Sequence, residues 1–163
     1  MIGTGGRRWC LSYRGHIRRG NDHAPRCCIA AFYTRELFVT KHPVQTADAP
    51  SAIGTYTQAI EAGGIVYLSG QIGLDPGSMQ LADGFEAQAH QVFSNLRAVV
   101  SASGGSLGNV VKLTVFLSDL ANFSRLNEIM AEYFSEPYPA RSAVGVSQLP
   151  RNALIEIDAI MVK

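Results

Sequence analysis

From residue 43 onward the chain alternates between two kinds of hydrophobic spacing. Val110–Leu117 and Leu154–Val162 are dense in β-branched and apolar residues and predict strands. Val44–Ala49 predicts a short strand or an extended entry. Tyr56–Glu61 and Ile65–Ser69, joined by Gly63-Gly64, predict a hairpin, and Ser142–Val146 predicts a further strand. Phe85, Ala89, Val92, Phe93, Leu96, Val99 and Val100 recur at spacings of three and four and predict one helix. Asp83-Gly84-Phe85-Glu86 reads as its capping box, and Gly104-Gly105 as its end. Asn122 reads as the cap of a second helix, with Phe123, Leu126, Met130 and Tyr133/Phe134 on its buried side and Pro137-Tyr138-Pro139 as its stop.

This order predicts an α+β fold, a mixed six-stranded sheet with two helices on one face. One helical layer leaves the other sheet face bare. The apolar strand residues Val115, Phe116, Ile155 and Ile157 therefore suggest an oligomer that covers it.

Composition changes the picture at one end only. The 163 residues carry a formal net charge of +1. Residues 1–50 hold eight basic against three acidic side chains, and residues 51–163 hold six against ten. All three cysteines and the single Trp fall within the first 28 residues. Their spacing fits neither a disulfide framework nor a zinc site, although His16 and His23 lie nearby. Residues 1–42 thus read as a basic leader, either a mitochondrial transit peptide or a start assigned too far upstream, with Val39 as the alternative start. Residues 43–163 read as the domain. The expected location is the cytoplasm, or the mitochondrion if the leader is a transit peptide. No stretch has the length of a membrane span. The acidic domain lacks a basic run, which argues against nucleic acid as its partner.

The candidate chemistry is sparse. There is no phosphate-binding glycine loop, no G-x-S-x-G elbow and no H-E-x-x-H. His90 falls off the apolar stripe of its helix and reads as a solvated surface residue. Arg141 follows the rigid Tyr138-Pro139 turn, and its planar fork suits a carboxylate; an ordinary surface ion pair is the bland alternative. Glu156 and Asp158 share one face of the last strand, opposite Ile155 and Ile157, and could direct a water or simply face solvent. Tyr56, the Ser69-Gly70-Gln71 step and Asn127 complete the polar set. These residues by themselves describe a small-anion site of unspecified class.

Six segments taken together resemble the RidA (YjgF) family. They are A-P-S-A-I-G-T-Y-T-Q-A (49–59), Y-L-S-G-Q-I-G (67–73), V-K-L-T-V-F-L-S-D-L (111–120), F-x-x-x-N-E-x-x-x-x-Y-F (123–134), Y-P-A-R-S (138–142) and I-E-I-D-A-I (155–160). The resemblance implies a chorismate mutase-like fold in a barrel-like homotrimer with clefts between subunits. It implies hydrolysis of 2-imino acids to 2-oxo acids and ammonia, with neither metal nor organic cofactor. It assigns the substrate carboxylate to Arg141 and the attacking water to Glu156. Tyr56 would line the cleft from the adjoining subunit, Asn127 would support it, and Gly70 would permit close backbone approach.

The chain departs from the family pattern at three points. Thr55 replaces the usual proline before Tyr56. Ala143 stands where a cysteine is common. The stretch from Asn127 to Arg141 is also short. Two other readings accompany the enzyme: a non-catalytic trimer that binds small carboxylates, and an RNA-acting protein.

Overall fold

The computed structural model describes residues 39–163. The readings on residues 1–38, including the cysteines, His16 and His23, lie outside the described residues. The elements run β1 (His42–Val44), β2 (Ala59–Ala62), β3 (Ile65–Ile72), α1 (Gly84–Ala102), β4 (Val110–Leu117), α2 (Phe123–Tyr133), β5 (Ala140–Gly145) and β6 (Ile155–Val162). They form one six-stranded sheet in the order β1-β2-β3-β6-β4-β5. Only β4 and β5 pair in parallel, so the sheet is mixed, as the pattern of segments predicts.

Period two decides which side chains meet the helices. On β6, Ile155, Ile157, Ala159 and Met161 are buried, while Glu156, Asp158 and Ile160 between them are only partly covered. Leu113, Val115 and Leu117 on β4 join the same buried layer beneath Phe93, Leu96 and Val99 of α1 and Leu126 and Ile129 of α2. The bare sheet face is therefore made largely of other residues than the four named from the pattern. Val115, Ile155 and Ile157 lie under the helices, and only Phe116 faces the other way. The open face is instead carried by Tyr67, Val144 and Val162, all exposed, with partly covered Ile160 and Phe116.

Four local expectations change for identifiable reasons. The segment after Val44 leaves the sheet because the buried Gln58 side chain takes over its backbone hydrogen bonds. The Gln58 carboxamide accepts from the Thr46 N–H at 2.7 Å and donates to the carbonyls of Thr46, Ala49 and Pro50. Tyr56 consequently sits in a loop, and β2 begins only at Ala59. The capping box at Asp83 does not form, because Glu86 reaches instead to Arg125 of α2 at 2.9 Å. Asn122 makes no side-chain cap; Asp119 caps the preceding short turn by accepting from the Ala121 N–H at 2.9 Å.

His90 is not a solvated surface residue. Its Nδ1 lies 2.9 Å from the Tyr133 hydroxyl, and the Tyr133 ring stacks on Phe93. The α1–α2 packing covers the imidazole from that side. Gly105 closes the end of α1 against Met161, where a Cβ would meet the sulfur at 2.6 Å.

Candidate functional site

Among the described residues, the candidate side chains fall in two open depressions, one on each face of the sheet. The larger, of about 660 Å³, lies on the open face. Its floor is the exposed side of β3 and β6, with Tyr67, Gly70, Ile72, Glu156 and Asp158. Its walls are the Pro50–Tyr56 loop and the Pro150-Arg151 turn. The smaller, of about 390 Å³, lies beside α2, between Asn127, Met130 and Ala131 of the helix and Tyr138, Pro139 and Arg141.

The first depression is shaped by a register irregularity. Between Leu68 and Gln71 the β3–β6 ladder shifts, and Ser69 and Gly70 fall inside the shift. Ser69 is tied to the neighbouring loop, its hydroxyl donating to the Thr57 carbonyl at 2.6 Å. The Glu156 carboxylate lies over Gly70. A Cβ there would come within 2.9 Å of the carboxylate carbon, so a glycine leaves the only room for it. Burial pushes the Glu156 carboxyl above its usual range, and the Asp158 charge beside it adds to the shift. Tyr56 borders the same cleft, and its hydroxyl accepts from the Ile53 N–H at 3.2 Å, which fixes its loop.

Arg141 belongs to the other face. It pairs across the ladder with the fully buried Leu113 and therefore points toward the helices. Glu156 pairs with Phe116 and points away from them. The guanidinium carbon stands 5.1 Å from the centre of the Phe123 ring, and one terminal nitrogen lies 3.3 Å from the Met130 sulfur. Among the described residues no carboxylate lies within salt-bridge distance of Arg141, and no cation lies so near Glu156.

One chain therefore brings Glu156, Gly70 and Tyr56 together in one cleft, and Arg141 and Asn127 together in the other. It does not bring the two groups together. Among the described residues no three His, Cys, Asp or Glu side chains cluster closely enough to hold a metal ion. No described helix is long and apolar enough to cross a membrane.

Two features at these sites carry no clear mark in the sequence pattern. Phe123 reads as a core position at the start of α2, yet it is 37% exposed and lies against Arg141. Arg151 adopts left-handed backbone (φ 56°), and its Nη1 donates to the carbonyl of Met79, itself left-handed, at 2.7 Å. That bond pins the turn that walls the larger cleft. Nothing before Arg151 announces it except Pro150.

Comparison with known proteins gives this geometry a lineage. Residues 46–163 match the family described as Endoribonuclease L-PSP. A protein of Dermatophagoides farinae named 2-iminobutanoate/2-iminopropanoate deaminase is 44% identical over 123 residues, covering 75% of this chain and 96% of that one. Reactive Intermediate Deaminase A, chloroplastic, of Arabidopsis thaliana is 46% identical over 123 residues, covering 75% of this chain and 66% of that one. Among solved structures, RidA from an Antarctic Psychrobacter superposes with a TM-score of 0.74 at 51% identity, covering 75% of this chain and 99% of that one. The six motifs, the mixed sheet with its helices and these relatives agree that the chain belongs to the RidA (YjgF) family.

Proposed function

We propose that the protein is a 2-imino acid deaminase, which hydrolyses 2-iminobutanoate- or 2-iminopropanoate-like substrates to 2-oxo acids and ammonia. One observation carries this reading: among the described residues Arg141 and Glu156 are both left without an ionic partner, each at the edge of an open cleft. A structural ion pair would have consumed them. The named deaminase relative supports the assignment of substrate.

Arg141 and Glu156 face opposite sides of the sheet, so the complete site forms between copies of the chain. The helix-side face of one copy meets the open cleft of the next, which fits the homotrimer that the resemblance implies. The exposed apolar residues Tyr67, Val144 and Val162 are then covered by assembly.

In that cleft the Arg141 fork holds the substrate carboxylate by paired N–H donors. The imine carbon, already electrophilic, is thereby fixed beside Glu156. Glu156 accepts a proton from a water as its oxygen bonds to the carbon, and returns a proton to the nitrogen. A second proton then passes from the new hydroxyl through Glu156 to the nitrogen as the C–N bond breaks, so that ammonia leaves and the C=O remains. A raised carboxyl pKa makes Glu156 a stronger base than an ordinary glutamate, which suits a group that must both take and give a proton. The reaction needs no cofactor, and its role would be to clear reactive by-products of pyridoxal-phosphate enzymes in the cytoplasm.

The test couples a threonine dehydratase to the full-length protein and follows release of 2-oxobutanoate. Acceleration by the wild type, lost in Arg141→Ala, is expected. No acceleration by the wild type, or full activity in Arg141→Ala, refutes the reading.

A further inference from the structure

Two arginines, Arg125 on α2 and Arg141 beside it, are held in opposite ways. Arg125 is saturated by carboxylates: one terminal nitrogen donates to Glu86 at 2.9 Å and the other to Glu128 at 2.6 Å. Among the described residues Arg141 has no carboxylate partner; its guanidinium stands over the Phe123 ring face and beside the Met130 sulfur. A thioether is a weak acceptor, and a ring face accepts no conventional hydrogen bond. Both contacts restrain the guanidinium without neutralising it or occupying most of its donors.

The residues responsible form a pattern. Phe123, Asn127 and Met130 stand at i, i+4 and i+7 of α2, on one stripe that faces the start of β5. Met130 anchors that stripe in the core at 6% exposure. Phe123, one helix turn from Asn127, stays 37% exposed although its place in the pattern is that of a core residue. The Arg141 guanidinium stands over that ring, 5.1 Å from its centre.

We infer that Phe123 is a positioning residue that aims the Arg141 fork at the ligand carboxylate while leaving its hydrogen bonds free. Met130 backs the same fork from the core side. The inference rests on the carboxylate-binding reading of Arg141 and adds the residue that sets its affinity. An unaimed arginine would have to surrender the freedom of a long side chain each time it bound. Replacing the ring by a carboxylate would aim it equally well but would neutralise it.

The experiment measures the dissociation constant of 2-oxobutanoate by calorimetry, and KM and kcat in the coupled assay, for Phe123→Leu, Phe123→Tyr and Arg141→Ala. Phe123→Leu keeps apolar volume but removes the ring. It should weaken 2-oxobutanoate about two- to fivefold, the scale of one partly exposed cation–π contact. KM should rise by the same factor, and kcat should change less. Phe123→Tyr retains the ring and should restore affinity to within about twofold of the wild type. Unaltered affinity in Phe123→Leu, with affinity lost in Arg141→Ala, overturns the inference and leaves the carboxylate reading standing. Unaltered affinity in Arg141→Ala overturns the reading on which it rests. A Phe123→Leu defect that Phe123→Tyr does not rescue, or that comes with a matching fall in thermal stability, assigns Phe123 a packing role and also overturns the inference.

Discussion

Gly70 lies directly beneath the Glu156 carboxylate, so near that a Cβ on it would stand 2.9 Å from the carboxylate carbon and 3.2 Å from Cγ. The clash would fall on the far end of a side chain that can rotate, not on backbone. Gly70→Ala should therefore displace Glu156 and spare the fold. We expect kcat to fall by about 10- to 100-fold, in line with the cost of roughly ångström-scale misplacement of a catalytic group. Thermal melting should change little. A large loss of melting temperature with kcat per folded molecule intact would show that Gly70 serves the sheet rather than the carboxylate.

Burial raises the Glu156 carboxyl, and the sign of the pH effects follows. Activity that needs the carboxylate should fall on acidification at a higher pH than an ordinary glutamate allows. Stability should move the other way. Between the unfolded value of 4.5 and the raised folded value, the folded chain binds more protons than the unfolded one, so stability declines as pH rises through that window. Glu156→Gln should thus be inactive yet more stable than the wild type at neutral pH. Melting curves at pH 5 and pH 8 check this: the stability gain should be larger at pH 8.

Arg141→Lys keeps the charge and loses the planar fork. It should bind 2-oxobutanoate more weakly by about tenfold or more, the worth of one to two charge-assisted hydrogen bonds. Melting should be little affected, because the native contacts of Arg141 are a ring face and a thioether. Calorimetry and a melting curve on the same sample separate the two effects.

Separation of Arg141 and Glu156 on opposite sheet faces makes complementation possible. Arg141→Ala and Glu156→Gln, each inactive alone, should regain partial activity when co-expressed or unfolded and reassembled together. In mixed assemblies some clefts combine the intact Glu156 of one copy with the intact Arg141 of another. Failure to recover activity in assemblies shown to be mixed would mean that both groups act from one chain.

The Tyr133 hydroxyl ties α2 to His90 of α1. Tyr133→Phe preserves the stack on Phe93 and removes a half-buried hydroxyl that meets His90 twice, at Nδ1 (2.9 Å) and at the backbone carbonyl (3.3 Å). A loss of about 1 kcal/mol in denaturant unfolding is expected, with catalytic constants at 25 °C unaffected in the folded protein.

Much of the fold is legible along the chain because burial writes itself with a period. The stripe from Phe85 to Val100 has the helical spacing and becomes α1, buried at Ala89, Val92, Phe93, Leu96, Val99 and Val100. The alternation from Ile155 to Val162 becomes β6, with Glu156 and Asp158 on the open side. Misreadings cluster where a side chain makes a distant bond. Gln58 removes the Thr46–Pro50 segment from the sheet, Arg125 draws Glu86 away from its cap, and Tyr133 draws His90 inward. Gln58 reaches back 8 to 12 residues and Tyr133 reaches 43, beyond one turn of helix or one strand pair, so local spacing carries no trace of them.

The sequence alone therefore determined the α+β class, the two helices, the place of Glu156 and Asp158 on one strand face, and the polar residues from which a site could be drawn. These depend on local periodicity and on residue chemistry. Only the tertiary structure decided that Arg141 pairs with Leu113 and turns toward the helices, while Glu156 pairs with Phe116 and turns away. The face on which a side chain emerges depends on ladder register between strands that are distant in sequence, and a shift of one residue would reverse it. That register divides the charged residues between two clefts and leaves Arg141, among the described residues, against a ring and a sulfur, both uncharged.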